Sequence, residues 1–280
     1  MWILDKPLIE DAISDIAQIF AEGGRIINEI DRAILISIYR RYDRNNGRMK
    51  KEWDAELNLE KREQLYNAYG ETYEGKRLFL IRKALMKMVT ICPMCGIQPP
   101  SQLDHHSPRS DYKSLSVFRL NLVPVCGVCN NKKKDKDPSL FIHPYYDHCL
   151  KDIPFFLISI HSSPKTHRMS WKFTINRAVI GDADLANKID TQINVIKLYR
   201  RLYRETNEML SDMLSGIDIL SEDSLNKTLQ QEYRKHKKRK GTNDWHTVFV
   251  KALIDSPHFS VAEAKAYSDT IMPVNGGINA

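Results

Sequence analysis

Residues 92–135 read "CPMCGIQPPSQLDHHSPRSDYKSLSVFRLNLVPVCGVCNNKKKD". Two C-x-x-C units, Cys92/Cys95 and Cys126/Cys129, bracket an Asp-His-His run at Asp104, His105 and His106. A two-residue gap lets both thiolates of one unit turn toward a single ion, and zinc takes four tetrahedral ligands. The pairs therefore predict one closed zinc site made of four cysteines. With sulfur in every position that metal has no open place for chemistry. Its work is to hold in shape a proline-interrupted segment too short to keep a core of its own. Any reactive groups lie between the pairs.

Three elements in this stretch, "CPMC", "DHHSP" at 104–108 and "NLVPVCGVCNNKK" at 121–133, carry a resemblance. The arrangement resembles the HNH family of nucleases. Its zinc-stapled members read as a cysteine pair, Asp-His-x-x-Pro, then Asn-Leu-x-x-x-Cys-x-x-Cys-Asn with a lysine soon after. The resemblance implies a ββα-metal fold: a hairpin carrying Asp104 and His105, a loop, and a helix opened by Asn130. It also implies roles. Asp104 and Asn130 would bind one catalytic divalent cation through oxygen, which suits magnesium or manganese. His105 would be the general base toward water, and Asn121 would fix the histidine-bearing loop. Lys132, Lys133 and Lys134, expected at the start of the helix, and Arg109 and Lys113 in the loop, are candidates for phosphate contacts. Two positions leave alternatives: His106 stands where the family is often apolar, and Asn131 competes with Asn130.

The chemistry stands beside the resemblance. Phosphodiester hydrolysis needs a nucleophile made from water, a cation to absorb phosphoryl charge, and stabilisation of the leaving alkoxide. One base and one metal supply all three. The expected activity is DNA cleavage, by nicking or by cutting both strands. A ribonuclease acting on structured RNA such as tRNA is the alternative, because neither metal nor base reads the sugar. A non-catalytic zinc module that binds nucleic acid is the alternative from another class.

Composition agrees with such partners. The 280 residues are 42% hydrophobic and 28% charged, as in a globular protein. No stretch approaches the roughly 18 apolar residues of a membrane span, and "MWILDKPLIEDAISD" carries acids where a signal peptide carries bases. The cytoplasm is the expected compartment, where paired cysteines hold metal and Cys149 is read as a small buried hydrophobe. Net charge is +7, and it is concentrated beside the second cysteine pair and in "RKHKKRK" at 234–240. That run suits either a polyphosphate partner or a solvated helix end.

Around the core the chain reads as mainly helical, an α+β protein in three regions. Residues 1–91 form a helical N-terminal region, with apolar sets Ile26, Ile27, Ile30, Ala33, Ile34 and Leu78, Ile81, Leu85, Val89. Residues 92–150 form the nuclease core, with strands expected near 102–105 and 122–125. Residues 151–280 begin with strands near 155–159 and 171–175. Helix follows from 182 to about 240, then a last helix at 244–256 before a frayed tail. "SDYKSLSVFRLNLVPVC", "FIHPYYD" and "NDWHTVFVKAL" also look like HNH proteins of bacterial anti-phage defence, which implies a partner protein such as an ATPase. The sequence leaves the oligomeric state open. His143 is expected to be a packed residue that docks the metal-bearing helix on the strands at 155–175 rather than to enter the site.

Overall fold

The computed structural model describes residues 2–21, 26–163, 165–166, 168–215 and 221–271. Among the described residues, five α-helices precede the first cysteine pair: α1 (Ile9–Ile19), α2 (Glu29–Arg44), α3 (Lys51–Glu56), α4 (Leu59–Ala68) and α5 (Phe79–Lys87). In α2, Asn28 accepts the Asp31 N–H at 2.8 Å as the cap. Glu29 and Asp31 sit in its first turn and Arg41 and Arg44 in its last, so both ends match the helix dipole.

The buried stripe of α2 is Leu35, Ile38, Tyr39 and Tyr42. It is out of phase with the set that begins at Ile26: Ile26 and Ile30 are 76% and 74% exposed. Capping at Asn28 starts the helix after Ile26 and Ile27, which turns the inward face onto later residues. The second set behaves as expected, since Leu78, Ile81, Leu85 and Val89 are all buried. The turn after α2 depends on Gly47, at φ +77°, where a Cβ would collide with the His143 ring. Glycine alone permits that approach.

The hairpin pairs β1 (Gln102–His105) with β2 (Leu122–Val125), antiparallel, setting Asp104 opposite Val123 and His105 opposite Leu122. Helix α6 (Gly127–Lys133) follows, with Cys126 as its N-cap. It does not open at Asn130, because the second cysteine pair itself forms the first turn. Lys132 and Lys133 consequently fall in the last turn. They stand at the carbonyl end, so the expected partnership of these lysines with helix N–H groups does not arise.

Residues 1–150 together with 187–196 form one compact unit, and residues 151–186 with 197–280 form another. In the first, a single apolar cluster runs from Ile16, Leu35, Ile38, Tyr39 and Ile81 into Leu103, Leu115, Phe118 and Leu122. The N-terminal helices and the hairpin thus share one core. Cys149 is exposed, not buried. In its short turn Leu150 takes the inward position instead.

The second unit pairs β3 (Phe156–Ser162) with β4 (Met169–Ile175), also antiparallel. In chain order α7 (Arg177–Ile180), α8 (Ala183–Val195), α9 (Leu198–Ser215), α10 (Glu222–Lys240), α11 (Trp245–Asp255) and α12 (Val261–Ile271) follow, and all belong to the second unit except the part of α8 from Asn187 onward, which is counted in the first. The span expected to be helical from 182 to about 240 holds α8, α9 and α10, with a break between α8 and α9 where Lys197 takes a left-handed φ of 51°. Helix α12 lies beyond the expected last stop. Its signal is local: the Ser260 N–H donates to Glu263 Oε2 at 3.2 Å, a serine followed three residues later by glutamate. The tail at 273–280 lies outside the described residues.

Candidate active site

The four cysteines converge. All are buried, and their sulfur atoms lie within 4.8 Å of one another. The Cys95 and Cys126 sulfurs are 3.8 Å apart, the spacing expected of two thiolates each about 2.3 Å from one tetrahedral zinc. The donor set and its geometry fit a structural zinc ion, which would tie the segment before β1 to the first turn of α6.

Alternation along β1 puts Gln102 and Asp104 on one face and Leu103 and His105 on the other. Helix α6 covers the first face. Asn130 Nδ2 donates to Gln102 Oε1 at 2.6 Å, and Lys133, one turn on, sets its ammonium 3.0 Å from Asp104 Oδ2. The Lys133 ammonium also donates to the His105 carbonyl at 2.9 Å. Burial raises the Asp104 carboxyl above its usual range, while the Lys133 charge opposes that shift. Lys133 is only 2% exposed. Unlike exposed Lys134, its ammonium points inward and is committed to Asp104.

His105 faces the other way, with its ring centroid 4.5 Å from that of Tyr69. Its Nε2 lies 2.9 Å from the Ser116 carbonyl. A carbonyl only accepts, so Nε2 carries the proton and Nδ1 keeps its lone pair. Burial, with the nearby Arg109 and Lys133 charges, brings the imidazole down to about 4, against the Ser116 carbonyl, which pulls it up. His105 is neutral at physiological pH. His106 turns to the face away from His105, 6% exposed and with its ring centroid 4.0 Å from that of His143.

Asn121 is fully buried and knits the loop to the hairpin. Its Oδ1 accepts the Ser107 N–H at 2.8 Å, its Nδ2 donates to the Ser107 carbonyl at 3.0 Å, and its carbonyl accepts the His106 N–H at 2.9 Å. A relay from outside the hairpin reaches the same amide. His143 Nδ1 accepts the Tyr145 N–H at 3.3 Å, so its Nε2–H points at the Tyr42 hydroxyl, 3.0 Å away. Tyr42 in turn donates to Asn121 Oδ1 at 3.2 Å. His143 is therefore buried, as expected, but its partners are Tyr42, His106 and Tyr145 and not the strands at 155–175 for which it was expected. Burial holds it well below the usual histidine range.

The loop cations are already engaged with the N-terminal helices. Arg109 stacks over Tyr66 and Tyr69 at 4.5 and 4.9 Å, and Lys113 is ion-paired to Glu63. Tyr69 also donates to the Leu103 carbonyl at 2.7 Å, bracing β1. Four of these residues had no place among the candidates read from sequence. Gln102 has a signal, being two residues before Asp104 on one strand face. Ser116, Tyr69 and Tyr42 have none, because only folding brings them to the hairpin.

Residues 92–136 match the family model described as HNH endonuclease. The protein ea31 of Escherichia phage lambda is 40% identical over 70 residues. That match covers 23% of this chain and 23% of the phage protein, so the chain spans about a quarter of the relative's length. No solved structure matches.

Proposed function

Residues 92–136 are an HNH endonuclease domain, and from that premise we propose that the protein is a metal-dependent endonuclease that hydrolyses DNA phosphodiester bonds. The observation that carries the reading is the state of His105. It is neutral, fixed through Nε2 on Ser116, and has Nδ1 left as a base.

In the proposed reaction, Nδ1 of His105 takes a proton from water as the oxygen attacks phosphorus. The bond from phosphorus to the leaving oxygen breaks, and that oxygen departs as an alcohol once protonated by solvent. Asn121 keeps the loop and imidazole in register. Asp104 and Asn130 are the residues that would hold magnesium or manganese, whose chemistry when bound is to absorb charge on the phosphoryl and leaving oxygens. Their donor chemistry fits a hard cation. Asp104 offers carboxylate oxygen, and the hydrogen bond from Asn130 Nδ2 to Gln102 leaves the Asn130 amide oxygen to ligate. The Lys133 ammonium beside Asp104 marks the place as one that already holds positive charge. Exposed Lys134 and half-buried Lys132 suit the phosphate backbone better than Lys133 does.

We read the cellular role as anti-phage defence, alongside a partner protein such as an ATPase and in the cytoplasm. The similarity to a phage protein supports a place in phage–host conflict. Among the described residues no helix is long and apolar enough to cross a membrane.

Purified protein should be incubated with supercoiled plasmid, single-stranded DNA and tRNA, each with magnesium or manganese. Plasmid nicking or linearisation, abolished by His105→Ala in a protein that stays folded, is the expected result. Cleavage of tRNA alone would replace DNA with structured RNA. Loss of activity in His106→Ala but not in His105→Ala would exchange the two histidines. Phage plating on cells expressing wild-type or His105→Ala protein tests the defence role: equal plaque numbers would exclude it.

A further inference from the structure

Helix α10, in the second unit, carries a charge distribution that its own fold does not use. Its inward side is Leu225 and Leu229, both buried, followed by half-buried Glu232, Tyr233 and His236. Arg234, Lys235, Lys237, Lys238, Arg239 and Lys240 are all exposed. Lys235 is paired with Glu232 at 3.0 Å, Lys237 lies over the Tyr233 ring at 5.5 Å, and Lys240 approaches His246 Nε2 at 2.8 Å. Arg234, Lys238 and Arg239 make no ion pair or hydrogen bond among the described residues.

That arrangement is unfavourable in isolation. Arg234 and Lys238, and Lys235 and Arg239, are like charges four residues apart, the spacing that brings side chains together on a helix. The helix dipole accounts for cations in the last turn, Lys237 to Lys240. It does not account for Arg234 and Lys235. A polyanion would turn the mutual repulsion into attraction by releasing its own condensed counterions.

We propose that the C-terminal half of α10 is a second nucleic-acid contact, a sequence-independent surface for the phosphates of double-stranded DNA, built from Arg234, Lys238 and Arg239 with Lys235 and Lys237 at its margin. It rests on the reading of DNA as substrate, yet uses no residue of the HNH domain. DNA is favoured over an anionic membrane surface because a membrane-lying helix keeps apolar side chains at its exposed boundary. Here Leu225 and Leu229 are already spent inside the unit.

The test is duplex binding by fluorescence anisotropy with the full chain. A 30-base-pair probe would be used over a range of KCl concentrations, without added divalent cation so that cleavage does not intervene. The comparison is wild type against the triple variant Arg234→Gln, Lys238→Gln, Arg239→Gln. Each lost phosphate contact lowers the slope of log K against log salt by about 0.9. The triple variant should therefore lose a slope of about 2 to 3, and its affinity at 0.1 M salt should fall on the order of 100-fold. Its thermal midpoint should stay level or rise, since repulsion is removed. An unchanged slope overturns the proposal. So does a variant that keeps DNA affinity but loses binding to phosphatidylserine vesicles, which would make the face a membrane contact. The outcome is separable from the nuclease reading: wild-type protein that binds through α10 but cuts nothing upholds this surface while the HNH reading fails. Cleavage with an unchanged salt slope does the reverse.

Discussion

Lys133 shows how one residue is decided by its partner. An ammonium at 2% exposure is costly unless paired, and Asp104 at 3.0 Å pairs it. Truncation to Lys133→Met should cost about 3–5 kcal/mol, because the carboxylate of Asp104 is left buried and uncompensated. Adding Asp104→Asn should restore most of that loss. Urea unfolding of both single variants and the double variant measures the coupling, and additive losses would refute it. His143 supplies a second test. It is held well below its ordinary range by burial, so it stays neutral when folded. Unfolded, it takes up a proton as pH drops through about 6.5. Protons then favour the unfolded chain, so its contribution to stability is present above that pH and is lost as pH falls. The unfolding midpoint of the wild type should drop between pH 7 and pH 5. In His143→Gln, which keeps a polar group toward Tyr42, the drop should be shallower, and equal pH slopes would show that His143 does not titrate differently on folding.

Among the elements, the hairpin and α6 form the unit on which the two proposed metals divide their labour. The sulfur cluster joins the segment before β1 to the start of α6, whereas Asp104 and Asn130 lie on the facing surfaces of β1 and α6. Structural zinc contributes on the order of 10 kcal/mol of apparent binding free energy in small sites. Cys92→Ser and Cys129→Ser should therefore lose zinc and local order together. Asp104→Ala and Asn130→Ala should keep about one zinc per chain, the number a single four-cysteine site holds, while cleavage is lost. Metal analysis of the four purified variants decides this. Zinc missing from the Asp104 or Asn130 variant, or retained in full by both cysteine variants, would reverse the assignment.

At the scale of the molecule, the segment that matches the HNH family model is not a free-standing module. Leu103, Leu115, Val117, Phe118, Leu120 and Leu122 belong to the same buried cluster as Ile16, Leu35, Tyr39 and Leu65 of the N-terminal helices. Arg119 Nε donates to Asp15 at 2.5 Å, and the Ser114 N–H donates to Asp54 at 2.9 Å. A fragment of residues 92–150, supplied with zinc, should bind the metal yet fail to order its loop. It should show a poorly dispersed amide NMR spectrum and bind an apolar dye, whereas residues 1–196 should give a dispersed spectrum. A dispersed spectrum from the short fragment would show that zinc alone suffices.

Local chemistry made much of this legible in the residues. The zinc pairs, both hairpin strands, the placement of Asp104 and His105 on opposite faces and the stop of α10 at Gly241 follow from ligand spacing, alternation and glycine at positive φ, none of which needs a distant partner. The phase of α2 departs from the apolar count because the cap at Asn28 sets where the helix begins. The start of α6 departs from the expected Asn130 because a C-x-x-C unit can form a helix's first turn. Other features belonged to the tertiary structure alone: the Tyr42–Asn121–His143 relay, Ser116 beneath His105, and the inward turn of Lys133. These depend on which buried polar atoms meet across the core. Tyr42 and Asn121 stand 79 residues apart in the chain, and a hydrogen bond between such residues leaves no periodicity or spacing to read. Only packing, which favours a partner for most buried polar groups, selects it.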